Sequence, residues 1–502
     1  MANTYHTRSS PLSQLGPLPA LDTPTLTNLS PSQKSEILSA TSKICRHLMH
    51  LLGVTWKSQP IDTALRERTT SWIRSEIIPQ LGSDIPVPKR FLLSTDAGLT
   101  YTERVYEGGD FETKVSMVKY VSVAIYLDDM IDKEAAVAKE AEKFLVGMMD
   151  LDVLGGLSSS TLNRAKKGQG GGGSGGGGSV SGTFWLEQYR KVAVGLSRHM
   201  MDADPFVSNM LLHSCTLFIE GCALEHHIQR DQGRYFLIKD AAAEKERDKV
   251  ERKLKTDQGW DVPMPLEGDV MTMSPDSDGD DVADDESYYL APHGWPSWLR
   301  ERSAVAEVFA ITSFRAPGGV NIPTWLWVTA IPELRTIILS INDLLSFAKE
   351  LLADDTTSAL AVLTKERRLI GMPGTAKDGG WRLRDSFDEV LRKTVVAGAR
   401  INRLLRPATN AARYAPDGRP YSIAELVEMV KKREEESEEA ERVEILKALA
   451  LKLWETHQRG YVSWHFESPR YRTYELFDWV REMMGVENVG PGWLTSCFSD
   501  AK

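Results

Sequence analysis

The sequence predicts an all-α fold. Three observations carry that expectation. Apolar residues recur at three-to-four spacing through most ordered stretches, and alternating β-branched strand patterns are scarce. In addition, 42% of the 502 residues are hydrophobic, enough to bury a large core.

The chain begins with a stretch rich in Pro, Ser and Thr, and residues 1–31 are expected to be a disordered segment. A basic stretch followed by an apolar one is missing there, so no signal peptide is expected. The helical domain is expected over 32–500. Helical periodicity marks 33–54, 62–80, 111–132, 134–149, 183–202, 204–228, 331–353, 380–405 and 440–465. Two segments interrupt it. The first is 155–182, centred on GGGGSGGGGS at Gly170–Ser179. Such a tract has no side chains to pack and reads as a flexible coil. It has the composition of an engineered linker, natural low complexity being the alternative. The second is 230–290, which starts with mixed charge from Glu244 and ends in an acidic run from Asp276. Its second half cannot bury enough apolar surface to offset chain entropy, so partial disorder is expected. The polar run Lys431–Arg442 reads as a solvated helix.

The totals exclude some function classes. A net charge of −10 argues against a nucleic-acid or other polyanion binder. A small anionic substrate is still allowed, because a bound metal inverts the local field. Cys45, Cys215, Cys222 and Cys497 form no CxxC pair, so reduced thiols are expected rather than a disulfide framework or structural zinc. No apolar run reaches about 18 residues, so no membrane span is expected. The Ser-Asp-Ala-Lys end carries no prenylation signal. A soluble, cytoplasmic protein is the expectation.

Two helical stretches carry oxygen ligands. Residues 111–127, FETKVSMVKYVSVAIYL, lead into Asp128-Asp129-Met130-Ile131-Asp132. Asp128 and Asp132 share a helix face about 6 Å apart along the axis. The same face runs back through Ala124, Val121 and Met117, so carboxylates stand at the mouth of an apolar wall. Three aspartates at a helix C-terminus oppose the helix dipole, whereas a hard divalent cation wants oxygen ligands. The second stretch, IPELRTIILSI, continues as NDLLSFAKE. Asn342, Ser346 and Glu350 recur at i, i+4 and i+8 on one face, an amide oxygen, a hydroxyl and a carboxylate. Lys349 beside them can reach a phosphate as a point charge.

DDxxD followed much later by ND-x-x-S-x-x-K-E resembles the paired metal motifs of class I terpene cyclases. NDLLSFAKE in particular is similar to fungal sesquiterpene cyclases of the trichodiene synthase family. The resemblance implies a single helical bundle with a central active-site cavity. It implies three Mg²⁺ ions, two on Asp128 and less directly Asp132, and one on Asn342, Ser346 and Glu350. The stretch between Asp128 and Asn342 is long for the family until the two inserts are subtracted. Near the end, SPRYR supplies Arg470-Tyr471, matching the pair that closes on diphosphate in that family. Arg offers phosphate a planar fork of donors and the phenol adds one more. Pro469 predicts a loop there. A further arginine before Asn342 is implied; Arg300 fits best, with Arg302 and then Arg315 as alternatives.

The resemblance therefore implies ionisation of an isoprenoid diphosphate, farnesyl diphosphate by family, and cyclisation to a sesquiterpene hydrocarbon or alcohol of fungal secondary metabolism. A homodimer is compatible with it. Tyr120, Phe218 and Trp464 are candidate cavity aromatics, core packing being the plainer reading of each. His226 and His227 point about 100° apart on a helix and do not chelate one ion together. His465 lies near the Arg-Tyr pair without an assigned role. A chain-elongating prenyltransferase would share the chemistry but normally shows two aspartate-rich motifs. A non-catalytic helical interaction protein, binding a basic partner through 230–290, is the third reading.

Overall fold

The computed structural model describes residues 10–142, 182–230 and 300–484, with short breaks at 24–25, 27, 56–59, 83–84, 202–203, 303–304, 356–357, 370–371, 377–378 and 437. The chain divides into two units, Met1–Glu225 with Trp295–Lys502, and His226–Gly294. Of the second unit, only 226–230 is described. The expected inserts at 155–182 and 230–290 therefore lie outside the described residues, apart from Gly182 and Arg230, which belong to helices.

The described residues form an all-α bundle, with no strand beyond two isolated bridges, Pro373 with Gly380 and Tyr414 with Pro420. The helices are α1 (Pro31–Leu52), α2 (Thr63–Trp72), α3 (Ile78–Leu81), α4 (Lys89–Val105), α5 (Phe111–Lys133), α6 (Ala135–Ala141), α7 (Gly182–Met201), α8 (Pro205–Arg230), α9 (Ala306–Thr312), α10 (Ile331–Leu352), α11 (Ala359–Leu369), α12 (Leu383–Leu405), α13 (Ile423–Glu435), α14 (Glu439–Glu467), α15 (Thr473–Leu476) and α16 (Asp478–Met484). A π-helical stretch, Ile73–Ile77, joins α2 to α3.

Local chemistry starts these helices where they begin. Ser30 caps α1 in a reciprocal box with Gln33, and Ser422 does the same for α13 with Glu425. Asp110 caps α5 by accepting from Thr113 N at 2.8 Å. Helix α4 was not expected from periodicity. Its Gly98 and many hydroxyl residues are poor helix formers, and Ser94, Thr95 and Thr100 turn their hydroxyls back onto carbonyls four residues earlier. Packing against α5 and α14 holds it in place.

Residues 10–23 correct the expectation that 1–31 is disordered. They form two 3-10 turns, bury Leu12 and Leu21 completely, and pack against α1 and α12. The apolar residues among the Pro and Ser were sufficient to dock them. The run Lys431–Arg442 is not one helix but the end of α13 and the start of α14, broken between them.

Pro205–His226 within α8 is long and apolar enough to cross a membrane by length and composition alone. Leu211, Cys215, Phe218, Ile219 and Cys222 on it are buried in the core, which accounts for that composition.

Two contacts and a turn position the functional end of the bundle. Helix α14 comes so close to α4 that a Cβ on Gly460 would lie 2.0 Å from the Arg104 carbonyl oxygen. Two turns on, Arg104 grips Glu467 with both Nε and Nη2, at 3.0 and 2.7 Å, in a buried pair. The helix then ends at Ser468, which is extended ahead of Pro469. Arg470 and Tyr471 follow in a tight turn that Arg472 closes with φ +57°.

Candidate functional site

The turn after α14 meets the C-terminal end of α5. Arg470 donates to Asp128 Oδ2 at 2.7 Å and to Asp129 Oδ1 at 2.9 Å. Asp129 also receives Arg90 Nε from α4 at 3.2 Å. Cys222 of α8 lies against Asp128, Sγ to Oδ1 3.6 Å.

The same turn meets the polar face of α10. Asn342 Nδ2 donates to the Tyr471 hydroxyl at 3.1 Å and faces His465 Nε2 at 3.2 Å. Its Oδ1 accepts from Arg300, whose Nε also donates to Asp343 at 2.7 Å. The Lys349 ammonium stands 5.8 Å from the centre of the Tyr471 ring. Residues far apart in the chain thus form one continuous polar assembly running from Asp129 through Arg470-Tyr471 to Asn342 and Arg300.

Its electrostatics are strained. Burial raises the Asp128 carboxyl above its ordinary range, and Asp129 beside it adds to the effect against the pull of Arg470. Burial also raises Asp343 and Glu350, despite Arg300 and Lys349 respectively. Asp129 goes the other way: burial would raise it, but Arg470 and Arg90 together outweigh burial. Lys349 is pushed down, by burial first and then by Arg470. Burial disfavours both signs of charge, and the opposing partners only partly restore them. Ser346 Oγ, 2% exposed at the residue level, has no hydrogen-bond partner of normal geometry, although it is near enough to Glu350 to favour the carboxylate slightly.

The structure brings together Asp128, Arg300, Asn342, Lys349, Arg470 and Tyr471 as direct neighbours, with Ser346 and Glu350 on the same face of α10. Asp132 is exposed, and the second carboxylate on Arg470 is Asp129. Position i+4 shares a helix face with Asp128, but the partner approaches from the side of the adjacent residue. Arg302 pairs with Glu220 at 2.8 Å, so of the two neighbouring arginines it is Arg300 that meets Asn342. Arg315 follows the end of α9 and is half-buried. Met117, Val121 and Ala124 are buried as expected. Among the candidate aromatics, Trp464 packs edge-on to Tyr471 with centroids 5.0 Å apart. Tyr120 instead shares its hydroxyl with Tyr189, whose ring also meets Phe218.

Sequence reasoning missed Asp129, Arg90, Asp343 and the part played by His465. Asp129 and Asp343 each sit next to a motif residue, and a reading restricted to one helix face passes over them. Arg90 belongs to the helix that periodicity did not reveal. A cleft of about 190 Å³ between α4 and α14, lined by Thr55, Glu103, Arg104, Glu107, Arg459, Gly460 and Ser463, contains none of these residues.

Among the described residues, no group of three or more His, Cys, Asp or Glu side chains is arranged to hold a metal ion. Amide and hydroxyl donors fall outside that description. The buried Ser346 Oγ, which lacks a hydrogen bond of normal geometry, and the raised carboxyls of Glu350 and Asp128 are oxygen ligands that a hard cation would satisfy, so their chemistry is compatible with Mg²⁺. Compared with protein-family models and with curated proteins, the chain matches none.

Proposed function

We propose that this protein is a class I terpene cyclase that ionises an isoprenoid diphosphate, farnesyl diphosphate by the motif resemblance, and cyclises the resulting cation. The observation that carries this reading is the convergence of Asp128, Asn342 and Arg470-Tyr471 on one assembly. These residues are distant in sequence, and a packing role alone does not require two oxygen-rich helix faces to share one Arg-Tyr turn.

Asp128 and the Asn342, Ser346 and Glu350 face would hold Mg²⁺. When bound, the metal supplies Lewis-acid stabilisation of the charge that develops on the leaving diphosphate. Arg300, Lys349 and Arg470 would donate to phosphate oxygens, the arginines as planar forks and the lysine as a point charge. Tyr471 adds a hydroxyl proton. In the ligand-free protein Arg470 is engaged by Asp128 and Asp129, and Arg300 by Asn342 and Asp343, so binding of metal and diphosphate would exchange these partners, the cation taking the oxygen donors and the phosphate the arginines. Behind Tyr471 lies a run of aromatic faces: Trp464, Tyr461, Tyr101 and Phe309, in contact with centroids 4.5–6.3 Å apart. Such faces stabilise a cation without offering it a nucleophile, and their burial keeps water away.

The test is incubation of the purified protein with Mg²⁺ and farnesyl diphosphate, with gas chromatography of the extract and an assay of released pyrophosphate. A cyclic sesquiterpene with stoichiometric pyrophosphate is expected. No pyrophosphate release from geranyl, farnesyl or geranylgeranyl diphosphate would overturn the reading. Product formed only when isopentenyl diphosphate is added would assign chain elongation instead.

A further inference from the structure

We infer that His465 is a positioning residue that sets the orientation of the Asn342 side-chain amide, holding its N–H end toward α14 and leaving its oxygen on the Arg300 side of the site. The inference rests on the reading of Asn342 as a metal ligand and adds the group that makes it one. An asparagine amide has a donor end and an acceptor end of nearly equal shape, and only the oxygen can bind a cation. Something must therefore hold it the right way round.

The hydrogen bonds around His465 do so. Its Nδ1 lies 2.7 Å from the Tyr461 carbonyl oxygen one turn earlier on α14. A carbonyl only accepts, so Nδ1 carries the ring proton and Nε2 is left as an acceptor in the neutral ring. Nε2 faces Asn342 at 3.2 Å, so the atom of Asn342 that faces it is the donor, Nδ2. Arg300, which has only donors, meets the other end, Oδ1. The two contacts agree on one orientation. The second N–H of Asn342 reaches the Tyr471 hydroxyl, which accepts and so keeps its own proton free to point elsewhere.

The histidine ring cannot turn to present Nδ1 instead. His465 is fully buried, and its ring is packed against Tyr461, Trp464 and Tyr471 at centroid distances of 4.7, 4.8 and 4.2 Å. Groups that orient a metal ligand typically change metal affinity about 10- to 100-fold when removed.

The experiment titrates Mg²⁺ into protein saturated with inorganic pyrophosphate and follows heat and melting temperature. His465→Phe keeps the stacked ring but cannot accept; it is expected to weaken Mg²⁺ by about 10-fold or more. His465→Gln places an acceptor near Nε2 and is expected to restore most of that loss. In an Asn342→Asp background both ends are oxygens and need no orienting, so His465→Phe should no longer weaken the metal. A loss of the same size in that background would overturn the inference, since it would mark a structural role. So would unchanged affinity in folded His465→Phe. If that variant does not fold, ¹⁵N spectra of the wild-type imidazoles, assigned by difference with His465→Gln, decide: an Nε2–H tautomer overturns the inference and an Nδ1–H tautomer supports it. Wild-type protein that binds neither Mg²⁺ nor pyrophosphate would sink the proposed function itself, an outcome distinct from all of these.

Discussion

Glu389 on α12 receives Arg367 Nε and Nη2 from α11 at 3.1 and 2.9 Å, and Lys393 at 2.6 Å. On α10, Glu350 lies beside Lys349 and within the field of Arg300. Both glutamates lie near two cations, Glu389 buried and Glu350 half-buried, yet desolvation wins at Glu350 and raises it, while the partners win at Glu389 and lower it. The difference is geometric. Arg367 offers Glu389 a bidentate fork, and Lys393 one turn along the helix completes it. At Glu350 the nearby cations are engaged elsewhere, Arg300 with Asn342 and Asp343 and Lys349 over the Tyr471 ring. The first cluster is satisfied, apart from the partnerless Glu366 Oε2 beside it. At the second, Glu350 meets no such fork, and a divalent cation is one partner that would favour its charged form.

The sharpest way to break this comparison is to remove a carboxylate from each side. Glu350→Gln and Asn342→Ala are expected to cut pyrophosphate release from farnesyl diphosphate by at least about 10²–10³-fold, the scale of losing one group that stabilises developing charge. The melting temperature of Glu350→Gln should stay level, because Glu350 contributes little to folding while its charge is opposed by burial, whereas Asn342→Ala also strands His465 and Tyr471 and should lower it. Glu389→Ala should do the opposite. It removes the bidentate carboxylate from the buried Arg367, costing about 3–5 kcal/mol of stability by urea unfolding, with the rate per folded molecule retained. Equal destabilisation by Glu350→Gln and Glu389→Ala would end the distinction.

Ligand addition sharpens it from the other side. Mg²⁺ with inorganic pyrophosphate at about 100 times its dissociation constant should stabilise the native protein by about 2.7 kcal/mol, and Glu350→Gln should abolish most of that gain. Acid separates a further group from the site. His457 on α14 is fully buried between Trp454 and Tyr461, its Nδ1 on Ser313, and burial lowers it to about 3. Its folded value lies below the unfolded value of about 6.5, so the neutral ring is the folded form. Its contribution is complete above that pH and is lost as pH falls from about 6.5 toward 3, by about 1.4 kcal/mol per unit. His465, also buried and lowered to about 3, adds an equal loss over the same range, so urea midpoints should show the summed slope and His457→Gln should reduce it by about half.

The sequence made some of this legible and hid the rest for physical reasons. Helices α5, α10 and α14 announce themselves because each buries a long apolar face at helical spacing. Helix α4 does not, since its stability comes from tertiary contact rather than from its residues, and Arg90 was hidden with it. Asn342, Ser346 and Glu350 were legible because their spacing is set within one helix. Asp129 in place of Asp132 was not, because Arg470 reaches it from a turn hundreds of positions later. Nor was the link from His465 to Asn342, which depends on how α14 lies across α10. Spacing within an element survives translation into structure; the direction of approach of another element is written in no single segment.

The smallest expected effect isolates the comparison in two serines. Ser386 Oγ accepts from Trp381 Nε1 at 2.8 Å and lies 2.8 Å from Thr364 Oγ1. Thr364 spends its own proton on the Leu360 carbonyl, so Ser386 must donate to it. Ser386→Ala therefore strands a buried indole N–H and costs about 1–3 kcal/mol. Ser346 has no such obligations: its buried hydroxyl makes no hydrogen bond of normal geometry and has only the nearby Glu350 carboxyl to turn to, and a polar group so poorly paired contributes little to folding. Ser346→Ala should leave the ligand-free protein as stable as wild type or more stable by about 1 kcal/mol, while weakening its response to Mg²⁺. Urea titrations of both variants, with and without Mg²⁺ and pyrophosphate, read the two signs directly. A hydroxyl that contributes little to folding is explained by what it meets when the site is filled, and a loss of stability in ligand-free Ser346→Ala would remove that explanation.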